Sequence, residues 1–364
     1  MIAPLRGRCA PPWLPLPPVP ASPPPLSPPT WDGDAAGLIC GYVFEPGTAA
    51  PVRSIDLDAA RARIDALAEQ APADGSFMWL HFNLSHAPAR AWLERHAPLP
   101  DSFHEALRET QPSTRVERAD DMLLAIINDV HFDFGFEPSD ISTLWVAVGP
   151  QLVVSARTRP LRSIDVLRTA VRAGHAPQSS TELFEQLMRA QADALVGIVR
   201  SVTARIDSVE DALLAGRLDQ QRARLGGLRR VLVRLQRLLA PEPAALFRLL
   251  HKPPAWMREA DAQGLRDASE EFSVVLRDMG GLQERIKLLQ EEIADSVQED
   301  NNRSLFVLTV VTVLALPINI LAGLFGMNVG GIPLADNSHG FWAVVGIVAS
   351  VTAVAAWLAF RKKK

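Results

Sequence analysis

The chain has 364 residues, 48% of them hydrophobic, and a formal charge of -4 at pH 7. That length permits two or three domains with a substantial core, and so mild an acidic balance gives no general case for nucleic acid as a partner. Two cysteines, Cys9 and Cys40, exclude a disulfide framework and a CxxC zinc site.

Residues 1–34 are dominated by proline, as in Pro15-Leu16-Pro17-Pro18 and Pro23-Pro24-Pro25. Such a run favours extended polyproline II and builds no core. Arg6 and Arg8 ahead of apolar residues imitate a signal peptide, but the prolines break the apolar helix that a signal requires. The segment reads as a disordered tail or an over-extended start of the reading frame.

Residues 35–265 have the composition of a globular α/β domain. Leu38-Ile39-Cys40-Gly41-Tyr42-Val43-Phe44 is strand-like, residues 56–70 have helical periodicity through Leu57, Ala60, Ile64 and Leu67, and residues 77–82 form a second strand. Residues 86–110 are short helices broken at Pro88, Pro98 and Pro100. Arg115-Val116-Glu117-Arg118 leads into the apolar run 122–127, and runs 141–148 and 151–156 are two more strands, joined as a hairpin by Gly149-Pro150.

After Pro160 the chain is almost wholly helical. Residues 181–218 form one long amphipathic helix with Leu183, Leu187, Ala190, Ala194 and Ile198 on one stripe. A second covers 220–240, interrupted by Gly226-Gly227 and ended by Pro241. Its arginines Arg222, Arg224, Arg229, Arg230, Arg234 and Arg237 make either a polyanion patch or, the reading preferred here, a solvated face pairing with Asp207, Glu210 and Asp211 of the preceding helix. A stalk helix, residues 266–304, carries Phe272, Val275, Met279, Leu282, Ile286, Leu289 and Ile293 at spacings of three and four, the seam of a helix packed on others.

Residues 305–364 hold two uncharged apolar stretches, 305–325 and 341–360. Roughly 20 helical residues cover the ~30 Å core of a bilayer, so the pair reads as a transmembrane hairpin. Arg303 precedes the first stretch and Arg361, Lys362, Lys363 and Lys364 follow the second, while the connecting loop has neither Lys nor Arg. The positive-inside rule therefore places both termini in the cytoplasm, and Trp342 and Trp357 sit where interfacial aromatics do.

Gly326-Met327-Asn328, closing the first of two C-terminal apolar stretches after a large preceding region and before a basic end, resembles the CorA superfamily of divalent-cation transporters. Val329-Gly330-Gly331-Ile332-Pro333 looks more like its ZntB zinc-transporter branch than the magnesium branch, whose loop usually reaches a Met-Pro-Glu. The resemblance implies a cytoplasmic αβα domain, a long stalk helix and a two-span hairpin assembled as a pentameric funnel in the inner (plasma) membrane, with first spans inside and Gly326, Met327 and Asn328 at the pore entrance. It also implies possible proton coupling. No acid or histidine occurs in the two stretches, which speaks against a side-chain relay.

If the first span lines a pore, one face should be less lipophilic. Asn302, Leu305, Thr309, Thr312, Leu316, Asn319 and Gly323 recur three or four apart, with Asn328 just beyond. Two other readings of these residues are local: Thr309 and Thr312 bond back to their own helix, and Asn319 relieves carbonyls freed by Pro317. Asn328 and Asn319 offer neutral oxygens to a hydrated cation. Below them Glu291, Asp295, Glu299 and Asp300 form either a cation-attracting vestibule or an ordinary solvated stalk face. In the loop, His339 suits zinc better than magnesium, and Asp336 is its one acid. His81 with His86, and His96 with His104, lack a compact zinc spacing, and no GxxxxGK[ST] phosphate loop or catalytic constellation stands out.

The expected function is thus transport of a divalent cation, Zn²⁺ first, by a homo-oligomer that needs no cofactor, no nucleic acid and no catalysis. The alternatives are a CorA-like Mg²⁺ or Co²⁺ channel and, from a different class, a non-conducting membrane-anchored scaffold.

Overall fold

The computed structural model describes residues 34, 36–69, 75–109, 112–137, 139–217, 220–327 and 339–361. The proline-rich residues 1–33, the loop 328–338 with Asn328 and Asp336, and Lys362, Lys363 and Lys364 lie outside the described residues. In chain order the elements are β1 (Leu38–Phe44), β2 (Val52–Ser54), α1 (Leu57–Glu69), β3 (Phe77–Asn83), α2 (Ala87–His96), α3 (Asp101–Arg108), β4 (Arg115–Ala119), β5 (Met122–Val130), β6 (Ile141–Val148), β7 (Leu152–Arg157) and α4 (Arg162–Arg172). The helices α5 (Ser180–Leu214), α6 (Gln221–Leu239), α7 (Pro241–Leu250), α8 (Glu259–Phe325) and α9 (Gly340–Arg361) complete the chain. It divides into two compact units, one of described residues up to Val196 with Arg237–Leu276, the other of Gly197–Gln236 with the described residues from Arg277 onward.

The first unit is a seven-stranded sheet in the order β2-β1-β3-β7-β6-β5-β4. Neighbours run antiparallel except β3 and β7. The Gly149-Pro150 turn closes the β6–β7 hairpin, with Val148 opposite Val153. Successive strand residues point to opposite faces, so β3 sends Phe77 and Trp79 into one core and Met78, Leu80 and Phe82 into the other. Both faces are covered, which explains why these strands are apolar runs without alternation. Ile64 of α1, Leu93 of α2 and Phe103 of α3 fill one side; Ile164 of α4, Leu187 of α5, Leu246 of α7 and Leu265 of α8 fill the other. The layering is the expected αβα.

The elements differ from the sequence reading in several places. Pro241 stops α6 and immediately opens α7, because proline suits the first position of a helix, where no backbone donor is needed. The last long helix starts at Glu259 rather than near Asp267, since Ala262, Leu265 and Ala268 are already buried in its first turns. The short edge strand β2 was not expected at all. Helix α5 is capped by Ser179, whose Oγ accepts from the Glu182 N–H at 3.0 Å, while Glu182 reaches back to the Gln178 N–H at 2.7 Å.

The second unit is helical. Val202, Ile206 and Val209 of α5, Leu225, Leu228, Leu232 and Leu235 of α6, and Met279, Ile286, Leu289 and Ile293 of α8 are buried seams at spacings of three and four. Cross-helix bonds set the register: Gln283 donates to Gln236 at 2.8 Å and Arg229 to Gln290 at 3.2 Å, so α6 runs antiparallel to α8. Neither Gly226-Gly227 in α6 nor Gly280-Gly281 or Pro317 in α8 breaks its helix. The 67 residues of α8 make a rod about 100 Å long. By length and composition its end can cross a membrane, and α9 adds the apolar run Gly340–Val354.

Candidate functional site

The residues singled out as pore-lining all lie on α8 and inherit one geometry from its continuity. At 100° per residue, Asn302, Leu305, Thr309, Thr312, Leu316, Asn319 and Gly323 stay within an arc of about 100°. Carried down the same unbroken helix, the stripe takes in Asp295 and Glu291. Glu299 falls about 60° to one side of Asn302 and Asp300 about 160° round, away from the other two acids. Glu291, Asp295, Glu299 and Asp300 are exposed, and none is in an ion pair among the described residues.

Within the apolar segment the threonine hydroxyls are spent locally. Thr309 Oγ1 donates to the Leu305 carbonyl at 2.8 Å and Thr312 Oγ1 to the Leu308 carbonyl at 2.8 Å, as the local reading anticipated. Each oxygen keeps lone pairs free to accept. At the lower end Asn302 Oδ1 accepts from Gln298 at 3.0 Å, which turns the amide toward the stripe. Leu305, Leu308, Val311, Leu316, Ile320 and Leu324 are exposed, while Phe306, Val310, Leu314 and Pro317 are half-buried, so a single copy leaves much of the segment uncovered. Gly326 ends the helix, its N–H bonded to the Ala322 carbonyl at 2.9 Å, and Met327 follows half exposed. Asn328, the third member of the tripeptide, lies outside the described residues.

Two of the α5 acids expected to neutralise the α6 arginines are engaged elsewhere. Arg285 of α8 takes Glu210 through Nε at 2.8 Å and Asp207 through Nη2 at 2.7 Å. The reading of α6 as a face paired with the preceding helix is therefore corrected: among the described residues Arg222, Arg224, Arg229, Arg230, Arg234 and Arg237 hold no carboxylate. Arginine 285 wins because it combines a bidentate fork with a second acid in reach.

The first unit holds a buried polar network that sequence reasoning missed. Trp79 Nε1 donates to Ser155 Oγ at 2.8 Å, His81 Nδ1 lies 2.8 Å from the same oxygen, and Arg157 Nε donates to His81 Nε2 at 3.2 Å. Both ring nitrogens of His81 are thus occupied, and burial together with Arg157 and Arg168 holds its pKa well below the usual histidine range. Nearby, Glu242 accepts from the Asn128 N–H at 2.8 Å and from Gln191 Nε2 at 2.9 Å, and burial lifts its carboxyl well above the usual range. Asp129 accepts from the Val130 N–H at 2.8 Å and the Ser163 N–H at 3.0 Å, and burial pushes it up to about 6. The one sequence signal was Asn128-Asp129, two polar residues inside an apolar strand. Every member binds another part of the fold, so the network ties α4, α5 and α7 to β5.

A family model described as "CorA-like Mg2+ transporter protein" matches residues 74–363. The divalent cation transporter CmaX of Pseudomonas aeruginosa is 30% identical over 333 residues, covering 91% of this chain and 97% of that protein. The zinc transport protein ZntB of Yersinia enterocolitica is 28% identical over 285 residues, 78% of this chain and 87% of that one. Among solved structures, full-length CmaX aligns with a TM-score of 0.70 at 28% identity, over 91% of this chain and 99% of its own. The complete CorA magnesium transporter of Methanocaldococcus jannaschii reaches 0.71 at 18% identity, over 87% and 96%, a likeness of fold.

Proposed function

Since the chain belongs to the CorA-like family, on the side of CmaX and ZntB, we propose that it is a divalent-cation transporter that carries Zn²⁺ along the axis of a ring of five copies in the inner (plasma) membrane. The observation that carries this reading is the continuity of α8, which puts Glu291, Asp295 and Asn302 in phase with Thr309, Leu316 and Gly323 of the apolar segment. Copies of the helix with that stripe turned inward line a path whose lower end is acidic and whose upper part offers only neutral oxygens.

The two ends do different work. A ring of carboxylates at Glu291 and Asp295 raises the local concentration of cations without needing to bind any one of them tightly. Asn302, Asn319 and, at the mouth, Asn328 then face a cation that keeps its water, since amide oxygens lack the charge to strip it. The second apolar helix, α9, covers the outer face of the first. Ala343, Gly346, Ala349 and Ala353 are exposed in one copy, and this surface of small side chains is left for close packing against the neighbouring copy. With Arg303 and the basic end on the same side, both termini are cytoplasmic.

Zn²⁺ as cargo rests on the ZntB relatives and on the loop 329–333. The Mg²⁺ or Co²⁺ reading has its own support in the description of the family model. The apolar stretches carry no acid or histidine, so the membrane potential, about 2.3 kcal/mol per charge per 100 mV, is the driving force rather than a side-chain proton relay. Uptake by proteoliposomes of Zn²⁺, Mg²⁺ and Co²⁺, with and without a pH gradient, tests all of this. Zinc flux that follows the potential and ignores the pH gradient is expected. Faster magnesium flux would replace the cargo, and no flux of any metal would leave the scaffold reading.

A further inference from the structure

The conduction path uses one face of α8 and leaves α6 unexplained. On α6 the residues Leu225, Leu228, Leu232 and Leu235 are buried against the bundle. Arg222, Arg229, Arg230, Arg234 and Arg237 occupy the opposite side, within an arc of roughly 140°. All five are exposed, and among the described residues the partner of Arg229 is Gln290 rather than an acid. Like charges three and four apart on a helix repel, and two consecutive glycines weaken this helix further. A helix that is costly to hold as a bare surface is one that meets an acidic partner.

The chain itself carries that partner, on another side. Arg285 faces α5 while Gln283 and Gln290 face α6, so α5 and α6 flank α8 on opposite sides of the stripe. On the α5 side, at the edge of the stripe, stand Glu292 and Glu299, both exposed and without an ion pair among the described residues. Their height matches the arginines. Pairing of 236 with 283 and of 229 with 290 makes Arg222 level with 297 and Arg229 level with 290. Glu299 and Glu292 each stand two residues higher, about 3 Å, well within the reach of an arginine. The two pairs also share one spacing, since seven residues separate Arg222 from Arg229 and Glu292 from Glu299.

Rotation about the axis of a ring changes the bearing of a side chain and leaves its height unchanged. We propose that α6 is the face by which one copy grips the next: Arg222 and Arg229 pair with Glu299 and Glu292 of the partner subunit. The contact is head-to-tail, with a basic flank meeting an acidic one, the type of interface that closes into a ring. It rests on the ring proposed above but adds which residues hold it and why α6 is basic.

Charge reversal in the full-length protein in nanodiscs tests it. Arg222→Glu with Arg229→Glu, or Glu292→Arg with Glu299→Arg, should raise the dissociation constant of the assembly by roughly tenfold, read by native mass spectrometry. All four changes together should restore assembly, because each interface again meets opposite charges. Restoration cannot come from within one copy, where the two groups lie on opposite flanks of α8. A stable ring indifferent to both double variants, or a quadruple variant as weak as they are, overturns the pairing while the ring stands. Loss of binding to phosphatidylglycerol-containing bilayers with assembly intact would assign the arginines to lipid headgroups and overturn it too. A wild type monomeric in lipid overturns the ring and the pairing together.

Discussion

Glu210 on α5 accepts both Nε and Nη2 of Arg285 on α8, at 2.8 and 2.5 Å, and so fixes the two helices side by side. Asp207 adds a third bond to the same guanidinium. These charge-assisted bonds raise the pKa of Arg285, led by the contact with Glu210. The site is about one-third exposed, so solvent and salt screen it. Arg285→Ala should cost about 1 kcal/mol, lowering the thermal midpoint of the detergent-solubilised protein by about 2 °C. Repeating the melt near 1 M NaCl should remove most of the difference, because the Debye length there is about 3 Å.

Asp129 makes stability depend on pH. Burial raises its carboxyl from 3.8 to about 6, against the pull of its bonds to Ser163 and Val130. Between those two values the folded chain holds a proton that the unfolded chain has lost. Its contribution is therefore fully present below 3.8 and lost as pH rises to about 6. The span of roughly two units corresponds to about 3 kcal/mol. Asp129→Asn should flatten the thermal midpoint between pH 4 and 6. A profile unchanged in the lower window would remove Asp129 from this role.

Glu242 tests the same network by size rather than by charge. Its two oxygens satisfy the Asn128 N–H and the Gln191 amide in a site closed to water. Its raised pKa has burial as the largest cause, so the neutral form is favoured there. Glu242→Gln keeps one acceptor and the shape and should cost about 1 kcal/mol, whereas Glu242→Ala leaves two buried donors unpaired and opens a cavity, costing about 3–5 kcal/mol. Chemical denaturation of the two variants gives the comparison.

These contrasts also mark what a sequence displays and what it hides. The strands and the seams of α5, α6 and α8 were legible because apolar spacing is set by the backbone period, and the hairpin at Gly149-Pro150 because a turn is local chemistry. Helix α7 was hidden by Pro241, which marks an end and a beginning alike. The first turns of α8 were hidden because Ala262 and Ala268 are buried yet carry no strong periodic signal. The network of Trp79, His81, Ser155 and Arg157 joins strands far apart in the chain. Nothing near Glu210 in sequence announces Arg285. Of the proposed path, the stripe from Asn302 to Gly323 was visible from spacing alone. Its extension to Asp295 and Glu291, and the separation of Asp300 from it, follow from carrying one helical phase through α8 from stalk to apolar segment, a continuity the lack of proline or glycine between Gly281 and Pro317 already indicated.

That continuity yields the sharpest test of the path. If Glu291 and Asp295 lie on the inward stripe, their charge acts on every cation that passes, while Glu299, at the edge, acts weakly and Asp300 scarcely at all. Glu291→Gln with Asp295→Asn should slow zinc entry into proteoliposomes by roughly tenfold at low ionic strength, with the deficit shrinking as salt screens the ring. Asp300→Asn should leave the rate within about twofold of wild type at ~0.15 M salt, where the Debye length is about 8 Å and a charge on the far side of a helix roughly 10 Å across is largely screened. Asn328→Ala should remove most flux at every salt concentration, since it deletes an oxygen that the ion meets rather than a field that gathers ions. A fluorescent zinc indicator sealed inside the vesicles reads all three rates. Equal losses for Asp295→Asn and Asp300→Asn would mean that a diffuse stalk charge, rather than a phased stripe, feeds the path.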